Sequence, residues 1–274
     1  MSELTRRFLL QGGAALAATG TVMLSVPRAQ AAKALDQFKP AGNGTLDHAA
    51  LDALLRAYVK PDSQRYNRVD YRALKARQGD LKRYISTLEA TNPVTLGRDE
   101  AHAYWMNLYN AKTLDVILEH YPVQSIKNIR LGGGGLFGSG PWSADLMKVN
   151  GTDLSLDDVE HRIVRALFND PMSHYGLNCA SYSCPNLMTN AYTGSAVNAM
   201  LVENARHYVN HPRGVSIERN RITASKIYSW YDDDFGGRKN LKDHWKQFAE
   251  AGLVAQIDEA RIGSFTYDWA LNDV

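Results

Sequence analysis

Apolar residues recur at three-and-four spacing over much of this chain, and each such run predicts a helix. Leu51, Leu54, Leu55 and Tyr58 mark one over Leu46 to Val59, with Pro61 just beyond as a stop. Leu74, Leu81, Tyr84, Ile85 and Leu88 mark a second over Tyr71 to Leu88. A third runs from about Asp99 to His120 and ends before Tyr121-Pro122, because the residue ahead of a proline is driven out of helical conformation. Ser155, with Asp158 three positions on, forms a capping box, so a fourth should span Leu156 to Phe168 until Asp170-Pro171 stops it. Thr193 or Ser195 to Val209, Lys226 to Tyr231 and Leu241 to Ala251 complete the helical segments.

Strand patterns are fewer. Leu146 to Val149 and Thr152 to Leu154 flank Asn150-Gly151, the pair best suited to the two positive φ angles of a type I′ hairpin turn. Val215 to Ile222 alternates, with Arg219-Asn220 as its turn, and Tyr66 to Val69 is a short extended piece. Strands do not alternate regularly with long helices, which excludes a doubly wound sheet. The expected class is α+β: a helix-rich single domain with a small antiparallel sheet.

The N-terminus changes this picture. Arg6-Arg7-Phe8-Leu9-Leu10 and the Gly- and Ala-rich run up to Val26 look like a twin-arginine export signal. Ala29-Gln30-Ala31 has the small-x-small pattern of a cleavage site, so cutting is expected after Ala31, leaving residues 32–274 as the working domain. A retained anchor is the alternative, but the run is glycine-broken and only moderately apolar. No later stretch is apolar enough to span a bilayer. The expected location is periplasmic or secreted from a bacterium, where a cysteine pair can be oxidised.

Removing the signal takes away Arg6, Arg7, Arg28 and Glu3 and brings the formal net charge of +2 close to zero. With no Lys/Arg cluster interleaved with aromatics, nothing favours nucleic acid. The glycine run Leu131 to Gly140 lacks a Gly-Lys-Ser/Thr ending and is not a phosphate loop. It reads as a loop, or as a lid that would cover a site with Phe137 or Trp142. Nothing calls for a cofactor, and the expected ligand is a small molecule or peptide.

Chemistry concentrates in His174 to Leu187, which holds both cysteines of the chain, Cys179 and Cys184. Three uses compete: a Cys179–Cys184 disulfide clip, a metal site with His174, and a nucleophilic thiol. If Tyr175 to Cys179 were extended, His174 and Cys179 would face opposite ways, so a direct pair needs a bend, which Gly176 could supply. Otherwise His161 or His102 must serve. His161 shares a helical side with Val164 and Phe168, the usual setting of a core histidine. Asn107 and Asn110 lie on one face of the third helix with Leu114 and Ile117. They either satisfy nearby loop backbone or orient a base or a substrate carbonyl.

Six blocks occur in order: Trp105-Met-Asn107-Leu-Tyr109-Asn110, Leu118-Glu119-His120-Tyr121-Pro122, Gly140-Pro141-Trp142, Leu154 to His161, Leu177-Asn178-Cys179-Ala180-Ser181-x-Ser183-Cys184-Pro185, and Ser225-Lys226-Ile227-x-x-Trp230-Tyr231-x-x-Asp234-Phe235. Together they resemble the DUF547 family over about Asp99 to Phe235. The resemblance implies a shared fold and a polar cleft, with no particular reaction. Some eukaryotic members replace the second cysteine, which makes Cys179 the first choice for a nucleophile. The expected activity is that of a thiol-dependent hydrolase or acyl transferase. Cys179 would attack, His174 or His161 would take its proton, and Asn107 or Asn110 would orient the base or stabilise charge. The rival is a non-enzymatic periplasmic binding or assembly module, with a disulfide clip and a cleft shaped by Trp105, Trp142 and Trp230.

Overall fold

The structure is a computed structural model that describes residues 35–131 and 140–274. The expected export signal, its cleavage site and most of the glycine run, with Phe137, lie outside the described residues. Helices dominate, with small two- and three-stranded sheets: an α+β architecture. Among the described residues no helix is long and apolar enough to cross a membrane.

The chain begins with α1 (Ala49–Tyr58), the antiparallel pair β1 (Val59–Pro61) and β2 (Asn67–Val69), a short α2 (Tyr71–Leu74) and α3 (Gln78–Glu89). Pro61 therefore closes an edge strand, three residues after the last residue of the helix. The central element is α4 (Arg98–His120). Its residues from Glu100 to Leu118 are buried on every side except Lys112, so it runs through the core instead of lying on it. Its polar residues then need partners inside the protein, and this is what turns α4 into a scaffold for loops.

The predicted hairpin is present as β3 (Met147–Val149) and β4 (Thr152–Leu154), with φ of 49° at Asn150 and 75° at Gly151. The capping box also forms: the Ser155 amide donates to Asp158 Oδ2 at 3.0 Å and the Asp158 amide to Ser155 Oγ at 3.1 Å. The helix it starts is not regular. Asp158–Val164 winds as a π-helix, with the Arg165 amide donating to the Glu160 carbonyl, before the short α5 (Arg165–Phe168). This wider winding breaks the three-and-four register expected of an α-helix. His161 consequently leaves the core side predicted for it and stands 39% exposed.

The remainder comprises α6 (Val197–Val209), β5 (Val215–Glu218), β6 (Arg221–Ser225), α7 (Ile227–Trp230), α8 (Leu241–Lys246), α9 (Ala251–Glu259) and β7 (Arg261–Thr266). The Arg219-Asn220 turn joins β5 to β6 with φ of 47° and 62°. The three-stranded sheet is mixed: β5 pairs antiparallel with β6, but β7 pairs parallel with β6. The single helix expected over Leu241 to Ala251 is split. Asn210 accepts from the Glu250 amide at 2.7 Å and donates to the Phe248 carbonyl at 2.9 Å, pinning the break from another part of the fold.

Two apolar clusters result. One gathers around α1, α3 and α4 and includes Leu177 and Ala180. The other packs Tyr208, Tyr228 and Trp245 against β5 and β6 and includes Tyr175. The chain from Tyr175 to Leu177 crosses from one cluster to the other, and the cysteine loop hangs from that seam.

Candidate active site

The approach to the cysteines bends, though without bringing His174 into contact with either sulfur. Pro171–Tyr175 forms a 3-10 turn carrying His174, and Gly176 follows at the seam. A Cβ on Gly176 would lie 2.4 Å from Met106 Sδ and 2.9 Å from Leu201 Cδ2, so a side chain there would have to displace Met106 and Leu201.

Carboxamides lock the loop. Asn110 donates to the Gly176 carbonyl and accepts from the Asn178 amide, both at 2.8 Å. Asn178 donates to the Pro185 carbonyl at 2.7 Å and accepts from the Ala180 amide at 2.9 Å, tying the two cysteine-bearing arms together. Asn204 from α6 donates to the carbonyls of Tyr175 and Asn186. Arg213 donates from Nε to the Cys184 carbonyl at 3.1 Å and from Nη2 to Asn186 Oδ1 at 2.6 Å. Asn107 pairs with both backbone groups of Tyr192. Of the two readings for Asn107 and Asn110, the structure thus displays backbone bonding for each, and neither lines the cavity described below.

The C-terminal segment supplies the other wall. The Tyr182 amide donates to the Ala270 carbonyl at 2.7 Å, the Ser183 amide to Asp268 at 3.1 Å and the Asn272 amide to Ala180 at 3.1 Å. This pairing lays Tyr267 against the sulfurs. Its hydroxyl oxygen lies 3.2 Å from Cys179 Sγ, 3.1 Å from Cys184 Sγ and 2.8 Å from Ser181 Oγ, which donates to it. With Ser181 as donor, the Tyr267 proton is free to point at sulfur.

The two thiols are free, and their sulfurs are 2.6 Å apart. Cys184 Sγ also accepts from the Cys179 amide at 3.0 Å. Burial pushes the Cys184 thiol up, but hydrogen bonds from Cys179, Tyr267 and Ser181 outweigh it and bring it below an ordinary thiol. The hydrogen bond to Cys184 and burial push Cys179 well up. The pair therefore loses one proton readily, with the charge resting on Cys184, and the second with difficulty.

Both sulfurs line a cavity of about 240 Å³ together with His174, His161 and Glu160. His174 is buried and donates from Nε2 to Asp234 Oδ2 at 2.7 Å, with its ring stacked on Tyr231 at 4.2 Å. Asp234 also receives both ends of the Arg165 guanidinium, at 2.6 and 2.9 Å. Hydrogen bonds from His174 and Arg165 hold its carboxyl well below the usual range. His174 Nδ1 makes no hydrogen bond among the described residues, and no imidazole nitrogen is in hydrogen-bond contact with either sulfur. His161 lies at the rim, 3.8 Å from Asp157 Oδ1. Glu160 accepts from the Tyr231 hydroxyl at 2.7 Å and the Tyr109 hydroxyl at 3.2 Å. Among the described residues, no three or more His, Cys, Asp or Glu side chains converge as a metal-binding group.

Two expected participants are elsewhere. His102 is buried against Phe168, bonds Ser173 Oγ at 2.9 Å and is brought down to about 4 by burial. Trp105 is wholly buried, with its ring edge-on to Phe38, and shapes no cleft, whereas Trp142 and Trp230 do line the cavity. Conversely, Asp234, Tyr267 and Trp269 were not singled out for chemistry from the sequence. Asp234 stands in the last of the six blocks, and Phe265, Tyr267 and Trp269 alternate at strand period, the available signals for each.

Residues 93–209 match the model of a family described as "Protein of unknown function, DUF547", so the chain carries a DUF547 domain there. No curated protein and no solved structure matches the chain. The matched stretch contains both cysteines, His161 and His174; Asp234 and the aromatic wall from Trp230 to Trp269 lie beyond it.

Proposed function

We propose that this protein is a thiol-dependent hydrolase or acyl transferase acting on a small molecule or peptide. The observation that carries the reading is that two coupled sulfurs share one cavity with an imidazole already oriented by a carboxylate. Cys179 is the less buried thiol and is the nucleophile; Cys184, in contact with it, takes its proton as Cys179 attacks a carbonyl carbon. The new C–S bond pushes the carbonyl electrons onto oxygen, and collapse expels the alkoxide or amine. His174, held through Nε2–H by Asp234, has an unprotonated Nδ1 that relays the proton from Cys184 to the leaving group, and later takes a proton from the water or acceptor that cleaves the thioester and returns it to the Cys179 sulfur. Apo geometry in which base and sulfur do not yet touch is compatible with this role, since such contacts commonly tighten around substrate.

The test is iodoacetamide labelling and p-nitrophenyl acetate hydrolysis by the reduced chain. Cys179→Ala is expected to lose hydrolysis while keeping its far-UV spectrum. A reduced, folded chain that neither labels nor hydrolyses would end the reading. The 2.6 Å sulfur contact, well inside ordinary non-bonded distance, favours one rival, a binding or assembly module closed by a Cys179–Cys184 bond. A mass gain of two protons on reduction, with no activity before or after, would establish that rival.

The same proposal places the working protein outside the cytoplasm, in the periplasm or medium, after removal of residues 1–31. The support is the Arg6-Arg7 motif and the Ala29-Gln30-Ala31 site. Lysine substitution of both arginines is expected to retain the uncut chain in the cytoplasmic fraction. Unchanged export would refute the twin-arginine route.

A further inference from the structure

The walls of the cavity are aromatic and acidic at once. Trp142, Trp230, Tyr231, Tyr267 and Trp269 line it, and so do the carboxylates Glu160 and Asp157. Among the described residues, no lysine or arginine lines it. Glu160 accepts from two tyrosine hydroxyls and feels the Arg165 guanidinium through space, with no ion pair to a lysine or arginine among the described residues. Asp157 has only the rim imidazole of His161 beside it. The nearest guanidinium, Arg165, is consumed by Asp234 and covers Tyr231 at 5.1 Å. Lys127 lies over Trp269 at 5.2 Å, which shows that this ring takes a cation, yet Lys127 is not among the lining residues.

Aromatic faces and carboxylates attract positive charge together, because the ring quadrupole and the anion favour the same ligand. A neutral sugar would stack on the rings and donate hydroxyls to the carboxylates, but only a cation gains in addition from their charge; an anion would be repelled. We propose that the cavity receives an organic cation, an ammonium or guanidinium group carried by the substrate beside its reactive carbonyl. This rests on the thiol-acyl reading above and names its substrate class: cationic esters, amides or peptides.

Charged methanethiosulfonates test it on the reduced chain. The probes are the trimethylammonioethyl reagent, the neutral methyl reagent and the sulfonatoethyl reagent, with 2-mercaptoethanol as the reference thiol. The expected result is a cation-over-anion rate ratio at least about tenfold above the reference, shrinking with added salt. Glu160→Gln and, at an exposed position where folding is not at risk, Trp230→Ala are each expected to lower that ratio severalfold. Ratios equal to the reference, with modification intact, overturn the cation proposal and spare the thiol reading. If no reagent modifies the folded chain, the thiol reading fails instead. Tryptophan fluorescence then decides the cation question: a saturable change with tetramethylammonium chloride but not with sodium acetate supports it, and no change overturns it.

Discussion

Two imidazole–carboxylate pairs of almost equal length occur in this molecule, and they do different work. His48 Nε2 meets Glu100 Oε1 at 2.8 Å; His174 Nε2 meets Asp234 Oδ2 at 2.7 Å. In the first pair every valence is filled. His48 Nδ1 contacts the Tyr84 hydroxyl at 2.6 Å, and Glu100 Oε2 accepts the Gly194 amide at 2.8 Å. Both side chains are buried, and the network ties α1 and α3 to the start of α4. In the second pair His174 keeps one nitrogen unengaged, Asp234 is a quarter exposed, and the ring opens on the cavity that holds the sulfurs. Contact distance alone therefore does not distinguish a fully bonded pair from one that keeps a nitrogen open. An unfilled valence facing accessible space does.

The largest expected effect separates the two pairs by stability. Glu100→Ala strands His48 and the Gly194 amide in the core and should cost about 3–5 kcal/mol in urea unfolding. Thiol modification of the fraction that remains folded should be unchanged; a parallel loss would show that the two regions are not independent. Asp234→Asn should do the reverse. Hydrolysis of p-nitrophenyl acetate should fall roughly tenfold to a hundredfold, while stability at neutral pH falls by only about 1–2 kcal/mol. Its pH dependence has a defined sign. Because the folded carboxyl is held below its unfolded value, Asp234 stabilises the fold above about pH 4, and that contribution fades as pH falls further. Asp234→Asn should flatten this acid limb in urea midpoints, and an unchanged limb would count against the ion pair.

The smallest effect concerns a third imidazole, His102, which has no carboxylate partner and is kept neutral by burial at about 4. The unfolded chain binds this proton nearer pH 6.5, so stability should drop as pH falls from about 6.5 toward 4. Replacing His102 with Gln should remove about 1 kcal/mol of the loss between pH 7 and pH 5.5, read from paired urea curves. An identical loss in the variant would show that other groups carry that limb.

Much of the local structure was readable before any coordinates. The capping box at Ser155 and Asp158, the Asn150-Gly151 turn and the Arg219-Asn220 turn depend on neighbouring residues, and all three form. Elements governed by distant partners were not readable. The break between α8 and α9 is made by Asn210, some 40 residues away, and the parallel partner of β6 comes from the chain's end. The π winding at Asp158–Val164 moved His161 from its expected core side to the rim. In the site, the thiols and His174 stood out by residue type and spacing, whereas Asp234 and Tyr267 reach them from 60 and 83–88 positions away.

By itself the sequence determined the helix-rich α+β class, the hairpin turns and the clustering of both cysteines beside a histidine. These follow from periodicity, backbone preference and chain proximity, which act over a few residues. Only the tertiary structure decided which groups surround the sulfurs, which nitrogen of His174 is held and which remains open, and that Asn107 and Asn110 bind backbone. Those outcomes depend on how buried polar groups find partners across the packed core, a condition set by the whole fold.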